Sequence, residues 1–278
     1  CGTISRIERV QVPILRALAM VVTGNAALAG RDVSNFYPDD PLFRFTASLD
    51  FLTPSDAGAL KGVAHGPVDW FEKLKRRKCR GLRLHNAPMQ QNQKLGHIDE
   101  RMLVGMVGGG PRWLIEPVYP DHSELWEGFD RVGDKEAADK KIWLSAYVLI
   151  GEAESAESVD TNIKGAATDL RDALQSIEAV ARQMPGAPFA DVFVAARETL
   201  DGKDLPYPLE FLRFAQMKPE AERLLKAAGR AWVFGAMGSW NDLVPEAALK
   251  PRYEAVSKTL FSALQRAVLV SANSTYRR

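Results

Sequence analysis

The sequence contains few cysteines and carries little net charge. Its two cysteines, Cys1 and Cys79, are too few for a disulfide framework and lack the Cys-x-x-Cys or Cys/His spacing of a zinc site. The 36 basic and 35 acidic residues leave a formal net charge of +1, so no overall field favours nucleic acid. We therefore expect a cytoplasmic protein with no metal, no cofactor and no nucleic-acid partner.

A continuous membrane span is also missing. The longest apolar stretch, residues 12–28, is interrupted by Pro13, Arg16 and a Thr23-Gly24-Asn25 segment, and a span needs about 20 mostly apolar residues. This stretch predicts a core helix instead. Because the chain begins with Cys1, three explanations stay open: a trimmed chain, an N-terminal nucleophile and a lipid-anchored envelope protein.

Composition and length are those of a globular protein. Hydrophobic residues make up 46% and charged residues 26% of the chain, which argues against disorder and coiled coils. A chain of 278 residues is near the upper limit for one hydrophobic core. We expect a single domain over 1–278, with a sheet-containing part (1–152) and a helical part (153–278) as its subdivision.

The middle of the chain predicts a β-sheet. Short apolar runs lie in residues 82–84, 102–107, 112–118, 124–129 and 142–150, and short connections separate most of them. Short connections favour antiparallel neighbours, since a parallel pair needs a longer crossover. We therefore predict an α+β fold with a central antiparallel meander packed against amphipathic helices.

Helical periodicity dominates the second half of the chain. Apolar residues recur every three or four positions over residues 163–184, and further helices are predicted over 189–200, 209–217 and 219–228 and from Pro251 onward. In the first half, residues 67–78 predict a short helix. Thr53-Pro54 resembles the start of another helix, with a cap followed by proline.

One glycine run could bind an anion. Gly108-Gly109-Gly110 permits the backbone conformations of an amide nest, and Arg112 beside it would supply a positive charge. The run lacks the Lys-Ser/Thr ending of a P-loop and the strand-then-helix context of a dinucleotide fold. The alternative interpretation is a hairpin turn between strands 102–107 and 112–118.

The four histidines do not form a metal motif. His65, His85, His97 and His122 show neither H-x-x-x-H nor H-E-x-x-H spacing, so no metal site is predicted. His85 lies at a predicted strand end. If the strands and loops converge, His85 could form an acid/base pair with Glu116 or Asp121.

A segment rich in aromatic residues precedes the last helix. Residues 231–242 contain Trp232, Phe234 and Trp240, followed by Asn241 and Asp242, which can cap a helix. We expect the aromatic residues to pack over the sheet as a buried plug, with the polar end at the surface. The alternative is that Trp240 offers a stacking or anchor surface. The run from Trp232 through Gly-Ala-Met-Gly-Ser-Trp-Asn-Asp resembles the tail of uncharacterised bacterial proteins. The resemblance covers at most the last fifth of the chain, and it implies a bacterial source without an activity.

Two functions remain after these exclusions. The first is a non-enzymatic bacterial binding protein, immunity- or adaptor-like, that contacts a protein partner through an aromatic-rich surface with Trp113, Trp126, Trp143 and Trp240 available as anchors. Its binding residues would include Arg112, Asn241 and Asp242. The alternative is an enzyme acting on a small polar or anionic substrate in a cleft between the sheet and the C-terminal helices. There His85 would transfer a proton, Arg112 would supply charge, and Asn241 or Asp242 would orient the substrate.

Overall fold

The structure is a computed structural model that describes residues 12–55, 58–89, 99–106, 109–154, 158–184, 189–207, 209–235 and 237–277. The expectations about Cys1 as a nucleophile or lipid anchor lie outside these residues, as does Gly108 of the proposed anion nest. Within the described ranges the chain forms one mixed sheet and a set of helices.

The sheet has six strands in the order β2-β1-β6-β5-β4-β3. Strands β3 to β6 pair antiparallel in chain order, and the short connections predicted this for β4 with β5 and for β5 with β6. The sheet is mostly antiparallel but not strictly the predicted meander, because β1 joins it parallel to β6 and β2 pairs with β1 antiparallel. The strands are β1 (Thr46–Pro54), β2 (Leu60–His65), β3 (Gly81–Ala87), β4 (Arg112–Val118), β5 (Ser123–Val132) and β6 (Trp143–Ala153).

Seven α-helices lie in the described ranges. The predicted helices at residues 163–184, 189–200 and 219–228 and after Pro251 are confirmed, and so is the short helix near 67–78. Residues 209–217 form only a 3-10 turn, Glu210–Arg213. The helices are α1 (Val12–Leu28), α2 (Gly66–Arg76), α3 (Glu100–Leu103), α4 (Ile163–Ala181), α5 (Phe189–Leu200), α6 (Pro219–Arg230) and α7 (Lys250–Asn273).

The strand predicted at residues 102–107 is wrong over its described part. Residues 100–103 form α3, which Asp99 caps by accepting a hydrogen bond from the Arg101 backbone amide. The antiparallel partners of β4 are β3 and β5, so residues 102–106 do not form the predicted hairpin with it. A short apolar run is equally compatible with a buried helical turn, so its periodicity could not decide between the two.

The helix predicted to start at Thr53 is also wrong. Thr53 and Pro54 are the last residues of β1, and the chain turns back at once into β2. The Ser55 backbone amide donates a hydrogen bond to the Ala59 carbonyl at 2.7 Å, which closes this turn. A Thr-Pro pair suits the end of a strand near a sheet edge as well as it suits a helix start.

Helices pack on one face of the sheet, which we call the inner face. Trp70 of α2 stacks on Phe51 of β1 with ring centroids 4.3 Å apart, and Phe51 stacks on Tyr147 of β6. Arg16 of α1 donates to Asp130 of β5 on the same face. Helix α7 packs behind α1 and along β3, and α4, α5 and α6 pack around α7 and one another. The opposite face of the sheet is called the outer face below.

Candidate functional site

The centre of the outer face is apolar. In the strand register Phe129 lies beside Ala146, and Leu144 lies beside Arg131. Val148 lies between Leu52 of β1 and Glu127 of β5. Directly paired residues on neighbouring strands point to the same face of the sheet. The side chain of Phe129 is 50% exposed although it lies on a central strand. We call Leu52, Phe129, Leu144, Ala146 and Val148 the outer patch. An apolar outer patch departs from the polar solvent-facing rows that are usual for an antiparallel sheet.

Charged residues around the outer patch pair with one another. Arg112 of β4 forms a bidentate pair with Glu127 of β5, with Nε 2.6 Å from Oε1. The hydrogen bond with Glu127 raises the pKa of Arg112. On the other side of the outer patch, His65 Nδ1 lies 2.8 Å from Asp50 Oδ1. The predicted anion partner Arg112 is therefore already neutralised by a carboxylate within the sheet.

The predicted meeting of His85 and Glu116 occurs in the structure. His85 Nε2 lies 2.7 Å from Glu116 Oε2, because β3 and β4 are adjacent and both side chains point to the outer face. Glu116 is 3% exposed, and Arg83 Nη1 approaches the same carboxylate at 3.8 Å. The other predicted partner, Asp121, hydrogen-bonds His122 instead, at 2.8 Å. The geometry thus brings together a histidine and a carboxylate, and their role in catalysis stays a prediction.

Three of the four predicted aromatic anchors are buried. Trp126 is 1% exposed, and Trp143 is half-buried. Trp113 pairs with Asn86 on the inner face, where it is 6% exposed. Trp240 is fully buried, donates from Nε1 to Ser257 Oγ at 2.7 Å, and stacks on Tyr253. Neither ring can contact a partner from these positions, because their surfaces are already covered by the core.

Asn241 and Asp242 have structural partners. Asp242 accepts hydrogen bonds from the Gly238 and Ser239 backbone amides and so forms a capping box with Ser239. Asn241 Nδ2 donates to the Arg101 carbonyl at 2.7 Å, and its Oδ1 accepts from Arg101 Nη1 at 2.9 Å. Sequence reasoning missed Arg101, which lies in an ordinary charged stretch with no motif to single it out.

A partly open cavity lies at the free edge of β3. Its volume is about 450 Å³, and its lining comes from β3, from residues 159–163, from Lys218 and from the end of α7. Arg83 contributes to it, whereas His85, Arg112 and Trp240 do not line it. The enzyme hypothesis placed His85 and Arg112 in one cleft with Asn241 or Asp242. The structure does not bring them together: His85 and Arg112 lie on the outer face of the sheet, and Asn241 and Asp242 follow Trp240, which lies among α5 and α7.

In the part of the chain that the structure describes, no group of three or more His, Cys, Asp or Glu residues is placed to hold a metal ion. No helix in that part has both the length and the apolar character needed to cross a membrane.

Comparisons of the whole chain with protein-family models, with curated proteins and with solved structures gave no match. The resemblance of residues 232–242 to bacterial proteins therefore stays a prediction.

Proposed function

We propose that the chain is a binding protein and that a different protein docks on the outer patch. The observation that carries this proposal is the exposure of Phe129 in the middle of an apolar sheet face. Contiguous apolar surface rimmed by polar groups is typical of protein interaction sites. The proposed role is still that of an immunity- or adaptor-like bacterial binding protein, as the sequence suggested. Its contact residues are now those of the outer patch instead of the buried tryptophans.

Phe129 is the expected energetic centre of the contact. Complete burial of a phenylalanine side chain contributes about 1.5–3 kcal/mol, and half of the Phe129 surface is still available. The neighbouring aliphatic residues on β1 and β6 are half-buried, so they offer a flat apolar surround rather than separate anchors. At protein interfaces a few central residues usually supply most of the binding energy, and the residues around them contribute little.

The charges near the outer patch favour an apolar contact over an electrostatic one. Arg112 is paired with Glu127, His85 with Glu116 and His65 with Asp50, so these side chains satisfy one another within the chain. A partner held by apolar burial should bind almost equally at about 0.1 M and about 0.5 M salt, since screening acts on charges. The partner is therefore expected to present an apolar patch with few charged contacts.

Site-specific crosslinking tests this proposal. A photoreactive phenylalanine analogue placed at position 129 of the full chain should give one adduct in extracts of the source cells, and the Phe129→Asp protein should lose that partner from a pulldown. Position 244 is the matched control, because Val244 is 92% exposed and lies outside the sheet. Crosslinking at 244 and the Val244→Asp variant should leave the partner unaffected.

Three results would contradict the proposal. The first is equal crosslinking at positions 129 and 244. The second is a partner retained by Phe129→Asp, and the third is an adduct of twice the chain mass, which would mean that the outer patch joins two copies of this chain.

A second candidate function is an enzyme that uses His85 and Glu116 as an acid/base pair. It is supported by their 2.7 Å contact, with the carboxylate buried and the histidine partly exposed. An activity panel on small polar and anionic substrates, with His85→Ala and Glu116→Gln as controls, tests it. A turnover that both variants retain would remove this pair from the reaction.

A further inference from the structure

We infer that the cavity at the edge of β3 binds a small organic anion. The inference concerns a different region from the outer patch and is independent of the proposed protein partner. We call the region the edge cavity and define it by Arg83, Val159, Thr161, Ile163, Lys218 and Tyr276, together with the end of α7. Three features of the edge cavity favour an organic anion: the charge of its lining, one fixed guanidinium group and an apolar wall.

The charge that lines the edge cavity is of one sign. Of the described residues in its wall, Arg83 and Lys218 are cationic and none is acidic. Glu116 lies near Arg83 but does not line the cavity, and its carboxylate is shared with His85. An anion entering the edge cavity would therefore meet two positive side chains, of which Arg83 also forms an ion pair with Glu116 behind the wall and Lys218 is exposed.

Arg83 is fixed in place before any ligand arrives. It is 8% exposed, and its guanidinium carbon lies 4.4 Å from the centre of the Tyr276 ring. Glu116 holds it from a second side at 3.8 Å, which is an ion-pair distance but too long for a hydrogen bond. A guanidinium group held in this way loses little conformational entropy when it pairs with a carboxylate or phosphate.

The rim of the edge cavity adds a second positive element. Lys218 is exposed and is the residue that precedes α6, with extended backbone angles of φ −68° and ψ 146°. The amide groups of the first turn of α6 follow directly after it, and the positive end of a helix favours an anion. Lys218 can therefore move onto a ligand that Arg83 already holds.

The remaining wall favours a ligand with an apolar body. Val159, Ile163 and the ring of Tyr276 supply apolar surface, and the volume of about 450 Å³ suits a small metabolite rather than a single ion. Together with the two cations, this lining favours a phosphate monoester or a carboxylate attached to a ring or short hydrocarbon. A bare inorganic anion would leave the apolar wall unused.

Calorimetric titration of the full chain tests the edge cavity with four probes: phenyl phosphate, benzoate, inorganic phosphate and the neutral benzyl alcohol. We expect saturable binding of phenyl phosphate or benzoate, weaker binding of inorganic phosphate and none of benzyl alcohol. Arg83→Gln should weaken the bound anion about tenfold or more, and Lys218→Gln about threefold. Lys75→Gln, which changes an exposed lysine on α2, should leave the affinity unchanged.

Lys218 is exposed, so its variant keeps the fold and still tests the edge cavity when Arg83→Gln destabilises the chain. The inference is overturned if neither organic anion binds saturably at millimolar concentration. It is also overturned if benzyl alcohol binds as well as the anions, or if Lys218→Gln and Lys75→Gln bind alike.

Discussion

The side-chain amide of Asn273 forms two hydrogen bonds with the backbone of Leu84. Asn273 Oδ1 accepts from the Leu84 amide at 2.8 Å, and Asn273 Nδ2 donates to the Leu84 carbonyl at 3.0 Å. Asn25 of α1 repeats the arrangement on Leu82, two residues earlier. The two amides occupy the place of a seventh strand and satisfy the free edge of β3, which would otherwise present unpaired backbone groups.

Asn273→Asp should destabilise the fold. The carboxylate cannot donate to the Leu84 carbonyl, and it places a charge where Asn273 is only 3% exposed. We expect a loss of about 2–4 kcal/mol in the free energy of unfolding, measured by urea denaturation. The exposed Asn35→Asp is the control and should change stability by less than about 0.5 kcal/mol. Equal stability of the two variants would show that the edge of β3 does not need this amide.

Arg101→Met should also lower stability. Arg101 is 2% exposed and donates to Asn241 and Glu254, with Asp99 3.4 Å away. Because Glu254 can regain water, we expect a loss of about 2–3 kcal/mol rather than the full cost of breaking a buried pair.

Arg101→Lys should restore little of this stability, since one ammonium group cannot reach the separate partners of a guanidinium. Arg223→Met removes an exposed arginine and serves as the control. Full stability of Arg101→Lys in thermal unfolding would contradict the assigned network.

The thiol of Cys79 should be unreactive in the folded protein. Burial raises the pKa of Cys79 from 9.0 to about 12, so the nucleophilic thiolate is scarce at neutral pH. In a Cys1→Ser background, iodoacetamide at about pH 8 should label Cys79 only after denaturation. Rapid labelling of the native chain would mean that Cys79 is accessible.

The same pKa shift predicts how stability changes in alkaline solution. The folded state holds the Cys79 proton more tightly than the unfolded state does, so its contribution to stability is complete below pH 9.0 and is lost as the pH rises towards about 12. Urea denaturation over this range should show a decline that is smaller in Cys79→Ser. Identical slopes for the two proteins would contradict the assignment.

Gly24→Ala should destabilise the chain although alanine is the better helix former. A Cβ at Gly24 would lie 2.8 Å from Phe71 Cε1 and closer still to Leu82 Cδ1, within the packed core. Overpacking costs about 1–3 kcal/mol and outweighs the gain of about 1 kcal/mol in helix propensity. Gly151→Ala is the control, because no heavy atom lies within 4 Å of its added Cβ. A higher melting temperature for Gly24→Ala would show that the core has room at this position.

Local patterns in the sequence predicted most of the elements but not all of their neighbours. The three- and four-residue repeats predicted α4 and α7, and the short apolar runs predicted β4, β5 and β6. These patterns are informative because an element that buries one face carries apolar residues at the period of its own structure. The parallel pairing of β1 with β6 was not predicted, since it joins residues almost 100 positions apart and leaves no local signal. The strand prediction for residues 102–106 was wrong for the opposite reason: a local signal is present, but a short apolar run fits a helical turn as well as a strand.

Some features of the candidate sites were predicted from the sequence, and others were not. His85 and Glu116 were predicted as a conditional pair, and adjacent strands brought them within 2.7 Å. The exposure of Phe129 and the position of Arg83 beside Tyr276 were not predicted from residue types, whereas burial of Trp240 was one of two interpretations of its segment. An aromatic residue has the same composition signal whether it fills a core or covers a surface, so only packing distinguishes the two.

The sequence by itself determined an α+β chain with a helical second half and the periods of its main helices and strands, because these depend on neighbours a few residues apart. Tertiary structure alone decided which apolar residues of the sheet stay exposed, which tryptophans are buried and which cations line the edge cavity. Those properties arise where distant segments meet: α7 reaches β3 through Asn273 and Leu84, 189 positions apart in the chain, and no local pattern encodes that contact.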